Sequence, residues 1–124
     1  MQRSRRSNAD VLDEMQALSN VGGDREFLEE LWGLASAAWP TLMADIREGM
    51  SSGDLAGVRR AARLTKAAAR NISATRAYEC ALHLEEVAAR GDVQSIRAAT
   101  MRLQQEVEIL QSVMPAFMLE ECPA

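Results

Sequence analysis

The chain has 124 residues, which is enough for one domain with a buried core. Apolar residues make up 48% of it but aromatic residues only 4%, so we expect a core of small aliphatic side chains, leucine and methionine in closely packed helices, and not a β-sandwich. The formal net charge of -4 makes the whole chain a poor general binder of nucleic acid.

The residues that would indicate a metal site, a membrane span or secretion do not form the required patterns. Cys80 and Cys122 have no metal-ligand spacing, and the single histidine completes no zinc site. No stretch approaches the roughly 20 apolar residues of a membrane span. The first eight residues carry three arginines, but the apolar run of a signal peptide does not follow them. We therefore expect no metal, no cofactor, no membrane contact, a cytoplasmic location and a disordered basic leader over residues 1–9.

Glycine–aspartate steps divide the rest of the chain into helices. Gly23-Asp24, Gly53-Asp54 and Gly91-Asp92 each combine a residue that tolerates the left-handed end of one helix with a residue that caps the start of the next. The pattern predicts helices over about 10–19, 25–51, 55–72 and 74–90, and a fifth from about 93.

Apolar stripes at helical spacing predict which faces of the longest helices are buried. The second helix has the stripe Phe27, Leu31, Ala35, Ala38, Leu42 and Ile46. Trp32 and Trp39 flank this stripe, where we expect them to cover the core beneath the first helix, with contact to a partner as the alternative. Pro40 predicts a kink or a second helix start, and Pro115 a bent or frayed end of the fifth helix. The fifth helix has the stripe Ile96, Thr100, Leu103, Val107, Leu110, Met114 and Phe117.

The lengths of the helices and of their connections predict the architecture. Helices joined by two-residue breaks must run antiparallel to their neighbours in the chain. The sequence therefore predicts an all-α fold over residues 10–118, an antiparallel up-down four-helix bundle with the short first helix capping one end, and a C-terminal tail over residues 119–124.

The third helix separates its apolar and charged residues most sharply. At about 100° per residue, its small apolar residues fall on one side and its cations on the other. We call the outward set the basic face: Arg59, Arg60, Arg63, Lys66, Ala67 and Arg70. Like charges at this spacing cost a few tenths of a kcal/mol per pair. On charge alone, the basic face is either a solvated surface, whose charge repulsion is relieved by neighbouring acids, or a binding surface.

The run from Arg59 to Ile72, RRAARLTKAAARNI, resembles the signature of histidine phosphotransfer (HPt) domains. In that family an exposed histidine precedes a lysine by three residues and a glycine by four, and small residues follow. Here Lys66 matches the lysine and Ala67 stands for the glycine. The resemblance extends over residues 10–118 through Val21-Gly22-Gly23-Asp24, Pro40, Gly53-Asp54, Leu84-Glu85 and Gly91-Asp92.

The residue at the acceptor position departs from the family. Arg63 stands where the resemblance places the phosphorylated histidine. Phosphoryl transfer needs the lone pair of a neutral imidazole nitrogen, and a guanidinium is permanently protonated and has none. Thr65 and Ser73 also replace a usual leucine and a frequent glycine. The resemblance therefore implies a pseudo-HPt of bacterial two-component signalling that is not an enzyme.

What the resemblance implies about function is docking without relay. We expect the basic face to bind the receiver domain of a response regulator, or a histidine kinase, and the chain to be a monomer or weak dimer. Three alternatives stay open. Phosphotransfer through His83 is one, and a helical interaction or dimerisation module of a larger regulator is another. The third, nucleic-acid binding by the basic face, is disfavoured by the acidic total and the absence of aromatic residues on that face.

Overall fold

The computed structural model describes residues 12–119, with side chains as far as Pro115. Within this range there is no strand, so the all-α prediction is confirmed, and no helix is both long and apolar enough to cross a membrane. The predicted leader and the last five residues of the predicted tail lie outside the described residues. The helices are α1 Glu14–Asn20, α2 Arg25–Ser52, α3 Leu55–Asn71, α4 Thr75–Arg90 and α5 Val93–Leu119.

The glycine–aspartate steps end and start helices as the sequence predicts. Gly53 and Gly91 adopt φ values of 77° and 80° at the C-termini of α2 and α4, where a side chain would be strained. Asp24 accepts a hydrogen bond from the Phe27 amide at 3.0 Å at the start of α2. Asp54 caps α3 in the same way. These steps therefore place consecutive long helices side by side.

The two prolines do not interrupt the helices that contain them. α2 is helical through Pro40, so the prediction of a second helix start there is wrong. α5 likewise continues past Pro115 to Leu119. A proline inside a helix removes one backbone hydrogen bond, and the side chains that flank Pro40 outweigh this loss because Trp39, Leu42 and Met43 are buried.

The buried face of α2 is rotated toward the tryptophans but keeps half of the predicted stripe: Ala35, Leu42 and Ile46. Phe27 is 46% exposed, whereas Leu28, Trp32 and Trp39 are completely buried. Burying the two indoles removes more apolar surface from water than burying the smaller side chains of the predicted stripe, and this decides the orientation of the helix. The tryptophans thus belong to the centre of the core, and the alternative that they contact a partner is wrong.

The main contacts among the four long helices form a ring. α2 packs against α3 and α5, and α4 packs against the same two helices. α1 contacts α2, where Arg25 forms an ion pair with Glu14. The Asp13 amide also donates to the Ser73 carbonyl at 3.0 Å, which ties the start of α1 to the connection between α3 and α4. α1 therefore lies at the end of the long helices where α2 begins and α3 ends.

Gly49 allows the close contact between α2 and α3 and gives a testable prediction. A Cβ atom at this position would lie 2.8 Å from Val58 Cγ2 and 3.0 Å from the Asp54 carbonyl oxygen. We expect Gly49→Ala to lower the free energy of unfolding by about 1–3 kcal/mol, because the helices must move apart. Urea denaturation measures the change.

Gly33 is the matched control on the same helix. A Cβ atom there would meet no heavy atom within 4 Å. We expect Gly33→Ala to raise the free energy of unfolding by up to about 1 kcal/mol, through helix propensity alone. Equal effects of the two substitutions would contradict the close contact at Gly49.

Candidate partner-binding surface

The packing of α3 turns the basic face outward. On its inner side Val58, Ala61, Ala62, Thr65 and Ala69 are buried. The Thr65 hydroxyl donates to the Ala61 carbonyl at 2.8 Å, so this polar group in the core is satisfied. The remaining side of α3 faces solvent, with Lys66 half-buried and the other members of the basic face exposed: Arg59, Arg60, Arg63, Ala67 and Arg70.

A carboxylate on α4 joins two members of the basic face. Arg63 Nε lies 3.1 Å from Glu85 Oε2, and Lys66 Nζ lies 2.7 Å from Glu85 Oε1. The Arg63 side chain is 60% exposed, that of Lys66 25% and that of Glu85 16%. Each carboxylate oxygen therefore serves one cation, and Arg63 still extends into solvent.

The two cations keep Glu85 ionised. The hydrogen bond from Lys66 lowers the pKa of the Glu85 carboxyl; partial burial opposes this, and the hydrogen bond from Arg63 lowers the pKa further. The net effect is a pKa below the ordinary glutamate value. At neutral pH this part of the basic face thus contains one negative charge and two positive charges.

The other three cations of the basic face have no such partner. Within the described part of the chain, no carboxylate forms an ion pair with Arg59, Arg60 or Arg70. The interpretation of the basic face as a surface relieved by neighbouring acids therefore holds for Arg63 and Lys66. Among the described residues no direct ion pair does the same for the other three, although Arg60 lines a cleft with acidic residues of α2. Of the predicted site residues, the structure brings together Arg63 and Lys66, and leaves the others as separate charges on the same side of α3.

Two residues beside the basic face were not among the predicted site residues. Glu85 stands in a part of the sequence that carries the resemblance, but only the packing of α4 on α3 shows its contact with the cations. Leu64 follows Arg63 and is 53% exposed. It lines a cleft of about 180 Å³ between α2 and α3, together with Arg60, Asp45 and Glu48. Acidic residues thus border the basic face on its α2 side.

His83 lies on the opposite side of α4 from Glu85. It is exposed and lines a cleft of about 270 Å³ between α4 and α5, near Cys80 and the ion pair of Arg76 with Glu106. Burial raises the pKa of the Cys80 thiol, which therefore stays protonated at neutral pH. No group of three or more His, Cys, Asp or Glu residues suited to a metal ion occurs in residues 12–115.

Comparisons with known proteins add no relative. No protein-family model, no curated protein and no solved structure matches the chain. The resemblance to HPt domains therefore depends on the residues of the sequence itself and stays a prediction.

The pairing of Glu85 with Arg63 and Lys66 predicts a pH-dependent contribution to stability. We expect Glu85→Gln to lower the free energy of unfolding at neutral pH by up to about 1 kcal/mol, the range of partly exposed ion pairs. Because the pKa of Glu85 is lower in the folded than in the unfolded chain, this stabilisation is complete above the unfolded value and is lost as the pH falls through the folded one. The difference between wild type and variant should therefore vanish in acid. Urea denaturation across this pH range measures it.

Glu86 provides the control for this substitution. It is exposed and, within the described residues, forms no ion pair. Glu86→Gln removes the same charge from the next position of α4 and is expected to leave the stability unchanged. A loss of stability of the same size in both variants would contradict the specific role of Glu85.

Proposed function

We propose that the chain is a non-catalytic HPt-like binding module of two-component signalling. In this proposal it docks the receiver domain of a response regulator, or a histidine kinase, through its basic face and passes on no phosphoryl group. The four long helices form an antiparallel up-down bundle with α1 at one end. The ring of contacts among these helices and their short connections support this arrangement.

The observation that carries the proposal is the position of the Glu85 carboxylate. Arg63 and Lys66 hold it between them, with one donor to each oxygen. This pair of cations therefore has the spacing that a carboxylate needs. Receiver domains, as a family, present a cluster of acidic side chains around the aspartate that they phosphorylate. The basic face carries the complementary charge.

The chemistry of Arg63 fits binding and excludes relay through this residue. Its guanidinium offers five N–H donors in a planar fork, and the bond to Glu85 uses only Nε. The Arg63 side chain is 60% exposed, and its planar fork is suited to a bidentate, charge-assisted pair with a carboxylate of the partner. Ala67 lies one turn further along α3 and has no side chain beyond Cβ that would keep the partner's backbone away. Arg63 would then occupy the acidic pocket in place of a metal ion and a phosphoryl group.

The distribution of charge favours an acidic protein partner over nucleic acid. The chain as a whole is acidic, with a net charge of -4, while the basic face concentrates five cations on one side of α3. Such a local field steers a small acidic surface into contact. A long phosphate backbone would also meet the acidic residues beside Arg60, among them Asp45 and Glu48.

Charge reversal at Arg63 tests the proposal. Against a panel of purified receiver domains, measured by pull-down and then by titration, we expect Arg63→Glu to weaken binding at least about tenfold, because a partner carboxylate then meets a like charge. Arg97→Glu is the matched control, since Arg97 is exposed on α5, which packs against α2 and α4. Equal binding by wild type and Arg63→Glu would refute the proposal.

Phosphorylation of the chain distinguishes the proposal from phosphotransfer through His83. After incubation with radiolabelled acetyl phosphate or an active histidine kinase, we expect no acid-labile label on the wild type, because Arg63 offers no nucleophile. Label that appears on the wild type and is lost in His83→Ala would replace the proposal with the phosphotransfer alternative.

The molar mass of the same sample, measured by light scattering, tests the dimerisation alternative.

A further inference from the structure

The Glu85 carboxylate lies where it accepts hydrogen bonds from two cations of the basic face. Its two oxygens accept from Lys66 Nζ at 2.7 Å and from Arg63 Nε at 3.1 Å. It reaches them from a different helix, α4, and its side chain is largely shielded from solvent. The free protein therefore already contains one carboxylate bound by the cations that the proposed function assigns to the partner.

We infer that Glu85 is an internal ligand of the basic face, and that an acidic partner binds by displacing it from Arg63 and Lys66. This inference rests on the proposed function for the site and for the chemistry of the partner. Lys66 Nζ is a compact point charge, and a carboxylate of the partner that binds it comes close to the Glu85 carboxylate, which lies 2.7 Å from the same nitrogen. The like charges repel at short range, so the free energy of binding contains the cost of separating Glu85 from its two cations.

The internal ligand has a consequence for specificity. A single isolated carboxylate on another protein only replaces the Glu85 carboxylate in its ion pairs, so the binding free energy that it gains is small. A cluster of carboxylates gains more, because it also pairs with cations that form no ion pair with any described residue: Arg59, Arg60 and Arg70. Glu85 thus selects for a partner with several acidic side chains close together, and against isolated surface acids.

An anchoring role is the opposite interpretation of the same contacts. If Glu85 served mainly to hold Arg63 in its binding orientation, its removal would loosen the arginine and weaken binding. Displacement predicts that removal of the Glu85 charge strengthens binding. The sign of the change therefore separates the two roles.

The experiment measures binding of two probes, a hexa-aspartate peptide and a purified receiver domain, to the wild type and to Glu85→Gln. We expect Glu85→Gln to bind the peptide about 3- to 10-fold more tightly, since two partly exposed ion pairs no longer have to be broken. Its affinity should also fall more steeply with added salt, because more cations are left without an internal partner. Circular dichroism establishes that the variant is folded.

Two controls exclude a general effect of net charge. Glu86→Gln makes the same change in net charge one position along α4, and we expect it to shift the affinity for the peptide less than twofold. In a chain that carries Arg63→Gln and Lys66→Gln, the further substitution Glu85→Gln should also shift the affinity less than twofold, since the two cations that Glu85 occupies are gone and only the change in net charge remains. Equal tightening by Glu85→Gln and Glu86→Gln would overturn the inference.

The two probes distinguish failure of the inference from failure of the proposed function. If the peptide binds Glu85→Gln more tightly but no receiver domain binds either protein, the inference holds and the proposed function fails. If a receiver domain binds the wild type and Glu85→Gln equally, or the variant more weakly, the proposed function holds and the inference fails. Failure of the peptide to bind even the variant would also overturn the inference, because the vacated cations would then hold no external carboxylate.

Discussion

The close packing of α3 on its neighbours determines both the fold around this helix and the composition of the candidate site. Ala61, Ala62 and Ala69 on the inner side of α3 are short enough to bring its backbone near α2 and α4, and Gly49 on α2 leaves the room that Val58 fills. Large residues on this side would hold the helices further apart. The inner side is apolar apart from the Thr65 hydroxyl, and all five cations of the helix lie on the outside.

The distance between α3 and α4 has a direct electrostatic consequence. Glu85 meets both Arg63 and Lys66 across the contact between α3 and α4. The carboxylate offsets part of the repulsion among cations at i,i+3 and i,i+4 spacing on α3. The small residues of the core and the charge pairing on the surface thus depend on the same helix–helix contact.

Local sequence rules predicted the helices well and the buried face of α2 only in part. Asp24 and Gly53 act within one turn of their own positions, so hydrogen-bond geometry alone fixes the ends of α2. Its apolar residues, in contrast, cover a wide arc, and two faces compete for burial. Which one is buried depends on the size of Trp32 and Trp39 relative to the space between the other helices, and no rule applied to α2 alone contains that information. The same holds for Pro40, whose cost is outweighed by tertiary contacts.

The candidate site shows the same division between local and long-range information. The helical period of α3 was sufficient to predict that Arg63 is exposed, because both faces of that helix are sharply defined. The pairing of Arg63 with Glu85 joins residues on two different helices, and sequence spacing alone does not give the position of one helix relative to the other. Sequence therefore predicted the charges of the basic face, while the structure was needed to find which of those charges already have a counter-ion.

An arginine at position 63 gives this surface properties that a histidine at the same position would not have. A neutral imidazole at position 63 would leave Glu85 opposite Lys66 alone, whereas the guanidinium adds a permanent charge and more donors at the same place. In the free protein Arg63 therefore pairs with Glu85 and remains accessible to another anion. The guanidinium has no lone pair with which to accept a phosphoryl group, so the chemistry of residue 63 is consistent with the proposal of docking without phosphoryl transfer.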